Sequence, residues 1–313
     1  MSGTTRKGSH DMTMRPGPFR MRLGSPRSWG LATVLSLLAQ VALAQQLFGT
    51  AQDGMLAFGQ AVLADDQPAL TQMLGDDFRA IVPPVGDAAR ETFVRAWNVS
   101  HTVRTANGHA FIVVGDDGWT LPVPLVKRPA GWQFDTRAGL QEMRVRRIGR
   151  NELAAIQTLL AIRDAQDDYA ETTHDGEKLH VYASKLASSP GRHDGLYWPT
   201  GPNEPPSPLG EAFSNASRPN QSEDGYNGYR FKLLTAQGKH AQSGAMNYMV
   251  DGKLFGGFAV IAWPVRYGDT GVMTFMVNHL GIVYERNLGP QTDMKASATQ
   301  TFDPAPGWRR VSP

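Results

Sequence analysis

The sequence predicts an α+β protein in two parts. Three observations carry this reading. Short helical periodicities between residues 46 and about 102 give way to strand-like pieces. One long amphipathic helical pattern then runs through residues 140–172. Beyond it, β-rich segments separated by short glycine-containing turns continue to the C-terminus. Helices followed by strands, rather than alternating with them, point to α+β and not to a parallel α/β sheet. The expected division is a small helices-then-strands lobe over residues 45–139 and, over residues 140–313, a long helix on an antiparallel meander sheet.

Residues 1–44 stand apart. Arg20, Arg22 and Arg27 precede the apolar run LATVLSLLAQVALA (31–44), which ends in Ala42-Leu43-Ala44. A positive segment, a short apolar core and an A-x-A site describe a secretory signal peptide cleaved after Ala44. Met14 and Met21 are alternative starts, because the polar residues ahead of them do not suit a leader. The apolar run is shorter than the ~20 residues of a membrane span. A periplasmic or secreted protein is expected, with no membrane span in the mature chain.

The leader also distorts the charge. The chain has 31 basic and 29 acidic residues and a pI near 8.8. Residues 1–44 hold six of the bases and one of the acids, which leaves 25 and 28, a formal net of −3. No basic face argues for nucleic acid. The chain has no cysteine, so an exported form relies on core burial rather than disulfides and carries no lipid-anchor thiol.

In the first lobe, Met55, Phe58, Val62 and Leu63 recur at helical spacing. Asp66 is placed to cap a second helix through Leu70 and Met73, and DAARETFVRAWNVSHT reads as a third. HAFIVVG, WTLPVPLVK and GWQFDT read as strands, separated by turns at GDDG (115–118) and KRPAG (127–131). This order bears a loose likeness to the cone-shaped nuclear-transport-factor-2 type.

In the second part, Ile148, Ala155, Leu159, Ile162 and Tyr169 define one helix face, widened by Leu153, Ile156 and Leu160. Glu142–Arg146 and Arg163–Asp167 sit at i,i+4 on the opposite side. A further short helix is expected at KLHVYASKLAS, then an irregular stretch over 188–227. Strands follow at GYRFKLLTA, NYMVDGKLFGGFAVIAWPV, GVMTFMVNH and GIVYERNLG, and FDPAPGWRRV forms a tail pinned by Trp308. Gly256-Gly257 marks a strand bend or close backbone approach. A long helix followed by a meander resembles the globular part of type IV pilins and pseudopilins. Here, however, the helix is entered from MRVRRIGRN, which does not suit burial in a filament.

Several long motifs occur in order: GDDGWTLPVPLVKRPAGWQFDTRAG, RRIGRNELAAIQ, AQDDYA, SSPGRHDGLYWPT, SPLG, GYRFKLLTAQG and AWPVRYGDTGVMTFMVN. Through them the chain, from about Gln45 to Val311, resembles the bacterial exported family catalogued as domain of unknown function 2950. The resemblance implies export and brings no activity, cofactor or site residue with it.

Candidate site residues fall in two groups. Arg144, Arg146, Arg147 and Arg150 crowd the start of the long helix beside Asn151 and Glu152. Arginines there oppose the helix macrodipole and are suited to hold a carboxylate or phosphate. They equally suit an ion network joining the two parts. Glu152 falls on the apolar side and is expected to pair with an arginine. The second group is the loop SSPGRHDGLYWPT (188–200). Its His193-Asp194 pair suggests a general base with an orienting carboxylate, and Ser188 and Ser189 are possible nucleophiles. The structural alternative has Asp194-Gly195 making a turn while Tyr197 and Trp198 plug the sheet.

Other signals are weaker. Glu171, Thr173, Asp175 and Gly176 partly match a calcium loop, but Tyr182 occupies the place of its closing Glu. His174 and His180 lack zinc-binding spacing, so no metal is assigned. Tyr226, Tyr229, Tyr248, Trp263 and Tyr267 read as core rather than as a glycan platform. No nucleotide-binding glycine loop or Ser/His/Asp set is present, and no cofactor is expected. The residues favour a non-enzymatic envelope binding or assembly factor, with an envelope protein, a glycan or a small anion as partner. The ligand site is expected at Arg147, Arg150, Asn151, Glu152, His193, Asp194, Tyr197 and Trp198. The alternative is a periplasmic hydrolase of cell-wall or glycan material, which needs a carboxylate pair or a His–carboxylate pair.

Overall fold

Local capping sets the first elements. The hydroxyl of Thr50 accepts from the N–H of Asp53 while the Asp53 carboxylate accepts from the N–H of Thr50, a reciprocal box that starts α1 (Ala51–Ala64). Asp66 caps α2 (Gln67–Leu74) as expected, a 3₁₀ turn follows at Asp76–Ala80, and Asp87 caps α3 (Ala88–Val99). This computed structural model describes residues 45–201, 204, 206–211, 213 and 224–311. The expected leader and much of the irregular stretch, including residues 214–223, lie outside the described residues.

Five strands follow: β1 (His101–Ala106), β2 (His109–Val114), β3 (Trp119–Thr120), β4 (Leu125–Arg128) and β5 (Gly131–Phe134). They pair antiparallel in the order β1-β2-β4-β5, with β3 on β2. β1 corrects the sequence reading, which ran the third helix on through His101 and Thr102. The β-branched Thr102, Val103 and Thr105 instead pair with β2 across Asn107-Gly108, both in the left-handed conformation that a two-residue hairpin turn needs. The expected WTLPVPLVK strand is split into β3 and β4 across Pro122 and Pro124, which have no N–H for a ladder. Met55, Phe58, Val62, Leu70, Trp97, Ile112, Leu125 and Phe134 build one hydrophobic core. Gly59 lets α3 approach α1, because a Cβ there would stand 2.0 Å from the Trp97 ring.

α4 (Thr136–Ala170) has 35 residues, about 52 Å of helix. Its N-terminal turns carry Leu140 and Met143 against the first core. Its C-terminal turns bury Ala155, Leu159, Ile162, Ala165 and Tyr169 in a second core. Ile156 and Leu160 pack against that core, but Leu153 is 65% exposed and does not widen the face.

The second core is organised by the antiparallel sheet β17-β15-β14-β13-β8. Its strands are β8 (Tyr229–Leu234), β13 (Ala259–Pro264), β14 (Thr274–Asn278), β15 (Tyr284–Arg286) and β17 (Arg309–Arg310). No position of β13 or β14 reaches solvent, so both faces of the sheet are covered. α4 packs on β13 and β14, and α5 (Thr292–Ala298), which the sequence reading did not foresee, packs on β13. The C-terminal tail is woven in rather than merely pinned. β16 (Thr301–Phe302) pairs parallel with β9 (Ala236–Gln237), β17 extends the main sheet, and Trp308 packs on the core. Small antiparallel pairs join β9 to β10 (Met246–Asn247) and β11 (Met249–Val250) to β12 (Lys253–Leu254). Gly257 is a close approach, with its missing Cβ 2.7 Å from Nδ1 of His279.

The helix expected at KLHVYASKLAS does not form. Its residues form bends and short extended pieces, of which β6 (Lys185–Ala187) pairs parallel with β7 (Gly195–Tyr197). The reason is tertiary. The fully buried Gln166 of α4 holds the backbone of Ala183 from both sides, donating to its carbonyl at 2.9 Å and accepting from its N–H at 2.8 Å. No helix among the described residues is long and apolar enough to cross a membrane.

Glu152 does not meet an arginine. Its Oε1 accepts from the N–H groups of Val272 and Met273, both at 2.9 Å, tying the middle of α4 to the turn before β14. Removing this carboxylate strands two backbone donors, which costs about 1–3 kcal/mol. Urea unfolding should therefore show Glu152→Ala destabilised by that amount and Leu153→Ser within about 0.5 kcal/mol of wild type. Equal midpoints for the two variants would contradict the assignment.

Candidate ligand-binding site

The two predicted groups of site residues lie beside different parts of α4. The arginine group is engaged around residues 268–273. Arg144 donates to the carbonyl of Gly268, Arg147 pairs with Asp269, and Nδ2 of Asn151 donates to the carbonyl of Thr270 at 2.8 Å. Gly228 makes room for Asn151, since a Cβ there would stand 2.6 Å from Nδ2. Arg266 hydrogen-bonds Asp269 and, with help from Arg147, holds its carboxyl below the ordinary range. α4 begins at Thr136, so these arginines lie beyond its first turn, where the macrodipole no longer opposes them.

The loop group sits at the other end, where the Tyr169 hydroxyl donates to the carbonyl of His193. Seventeen residues separate Glu152 from Tyr169, about 25 Å of helix, so the two groups do not share a cleft. The loop is tightly satisfied. Asp194 accepts from the N–H of Ser189 at 2.7 Å, its hydroxyl at 3.0 Å and Nζ of Lys185 at 2.8 Å. Ser188 is likewise used, its Oγ accepting from the N–H of Gly195 at 2.9 Å. His193 faces Asp175 at 3.9 Å rather than Asp194, and its ring lies 4.5 Å from that of the buried Trp198. Tyr197 packs on the second core. Of the calcium-like loop, Asp175 accepts from the N–H of His193 and Glu177 pairs with Lys253. Tyr229, Tyr248 and Trp263 are buried and offer no stacking platform.

A different cavity has the features of a ligand seat. It encloses about 260 Å³ between the first core and α4. Phe58 and Val62 of α1, Ile81 and Val82, Phe93 of α3, Leu121 and Met143 of α4 give it apolar walls. Trp119, 42% exposed, stands at its edge. Among the described residues, the charged side chains in its lining are Arg90, Arg146 and Arg150, and none of the lining residues carries a carboxylate, imidazole or hydroxyl.

The three arginines differ in what they already hold. Arg90 is buried and committed, bonding Asp65 at 2.7 Å and the carbonyls of Val62 and Pro83. Its hydrogen bond keeps the Asp65 carboxyl below the ordinary range. Arg146 pairs with Glu142 at 2.8 Å, donates twice to Thr120 and lies 5.8 Å over the Trp119 ring. Arg150 is exposed, and its side chain has no hydrogen bond or ion pair with any described residue. Of the candidate arginines the cavity takes in Arg146 and Arg150, and of the eight residues expected to form the ligand site it takes in Arg150 alone. Phe58, Phe93, Trp119 and Met143 were legible in the sequence only as apolar residues at helical or strand spacing. Nothing local marked them as the walls of a cleft.

The Asp194 contacts predict a pH dependence. Burial alone would raise this carboxyl, but the bonds from Lys185 and Ser189 outweigh it and hold it at about 2. A depressed folded value stabilises above the unfolded value near 3.9, and that stability is lost as pH falls toward 2. Wild type should lose roughly 1–2 kcal/mol more than Asp194→Asn between pH 5 and pH 2.5. Parallel stability profiles for the two proteins, measured by urea unfolding, would refute this role.

No curated protein and no solved structure matches the chain. A family model does match, over residues 45–311, under the description "Protein of unknown function (DUF2950)". Spanning most of the sequence and every element from α1 to β17, that match makes the chain a member of this family.

Proposed function

We propose that this protein is an exported binding factor of the bacterial envelope and that its ligand seat is the cavity between the first core and α4. One observation carries the reading. The cavity walls are mostly apolar, and its charged side chains among the described residues are arginines, which bind but do not serve as nucleophile or general base at neutral pH. A hydrolase of the envelope would need a carboxylate pair or a His–carboxylate pair flanking its cleft, and the cavity lining supplies neither. The carboxylates of Glu152 and Asp194 are both held by internal donors, so binding is the better-supported role. Export rests on the leader-like segment that ends at Ala44.

The small neutral fluorophore 1-naphthylamine, whose single two-ring body suits a cavity of about 260 Å³, tests the seat. The mature chain should bind it saturably at one site, with a rise in fluorescence. Ala89→Trp, which fills the mouth from the first turn of α3, should abolish the signal and leave the melting temperature nearly unchanged. Absence of saturable binding by the wild type, or binding indifferent to Ala89→Trp, would refute the seat. Fractionation of the native host should place the protein outside the cytoplasm with Gln45 as its first residue. An intact N-terminus in the cytoplasm would refute export.

A further inference from the structure

The cavity has a direction. Phe58, Val62 and Leu121 are buried, whereas Ala89, Trp119 and Arg150 are exposed. The charge balance along it is also uneven. Arg90 is neutralised by Asp65 and Arg146 by Glu142, leaving Arg150 as the lining cation without a counter-charge among the described residues. A ligand that fits therefore has an apolar body directed inward and one anionic group outward. A planar carboxylate matches the guanidinium fork in geometry as well as in charge.

Size narrows the class. About 260 Å³ lies just below the ~300 Å³ lower end of ordinary small-molecule pockets. That suits one short chain and not the two chains of a membrane lipid.

We propose that the cavity takes a monoanionic, single-chain amphiphile with a short chain, its carboxylate on Arg150 and its chain against Phe58, Val62 and Leu121. This rests on the cavity being the ligand seat, and the test separates the two claims. Octanoate and 1-octanol share a chain, and octanol is the more readily desolvated of the two. A preference for octanoate therefore has to come from the headgroup.

The experiment is displacement of 1-naphthylamine from the mature chain by each compound at low salt. Octanoate should displace it at about one-half to one-fifth the concentration of octanol, the worth of one solvent-exposed ion pair. Arg150→Gln should bring the two into line and leave octanol unchanged, and Arg150→Lys should restore part of the preference. Because Arg150 has no partner to lose among the described residues, neither variant is expected to unfold.

Equal displacement by the two compounds in wild type, or a preference that survives Arg150→Gln, would overturn the ligand class while leaving the seat intact. Failure of the probe itself to bind would overturn the seat and the ligand class together. Sedimentation with phosphatidylglycerol vesicles adds a separate arm. Binding to vesicles that is lost in Arg150→Gln would assign Arg150 to a membrane headgroup and overturn the soluble amphiphile.

Discussion

The continuity of α4 is the constraint on which the rest of the structure depends. A helix of 35 residues is too long to be buried by one small core, and its two ends serve two. Its N-terminal turns offer Leu140 and Met143 to the first core. Its C-terminal turns offer Leu159, Ile162 and Tyr169 to the second. Between them the helix is fastened by polar contacts to residues 268–273, and these contacts are unequal. The Arg147–Asp269 pair is half exposed on both sides, so it is worth about 0–1 kcal/mol. Glu152 satisfies two backbone N–H groups at the foot of β14, and its loss leaves two donors unpaired. The fastening rests mainly on this one carboxylate.

The cavity is a consequence of the same helix. Met143, Arg146 and Arg150 are its α4 wall, and the opposite walls come from α1, α3 and the segment around Leu121. A molecule filling it would bridge α4 and the first core, which are otherwise joined by Leu140, Met143, the Thr136–Leu74 bond, the close approach of Gly139 to Val123 and the Arg146–Thr120 bonds. Phe93 against Trp119, and Arg146 over the same indole, keep the mouth built of rigid groups.

The His-Asp loop illustrates how reactive residue types become architecture. Asp194 is spent on Lys185 and Ser189, and Ser188 on Gly195, so that a parallel pairing of β6 with β7 is held at its exit. Trp198 lies among the rings of Tyr169, His174 and His193. Tyr169 is pushed up to about 12 by burial, with nearby Asp175 adding to the effect. A phenol held there keeps its proton at neutral pH and acts as a donor to the carbonyl of His193.

What the sequence determined by itself was whatever depends on near neighbours. The cap at Asp66, the i,i+4 pair Glu142–Arg146, the face Ala155–Leu159–Ile162–Tyr169 and the all-apolar strand Ala259–Pro264 are short-range facts, and period and composition expose them. Long-range contacts decided the remainder. KLHVYASKLAS has helical content, yet Gln166 holds Ala183 in an extended chain. Glu152 had an arginine expected beside it, yet two N–H groups from residues 272 and 273 claimed it. The cavity joins residues as far apart as Phe58 and Arg150, and no local pattern announces such a meeting. Hydrophobic periodicity tells a residue that it must be covered, but not by what. Only the tertiary structure chose the cover, and in one place it left a space beside an uncommitted arginine.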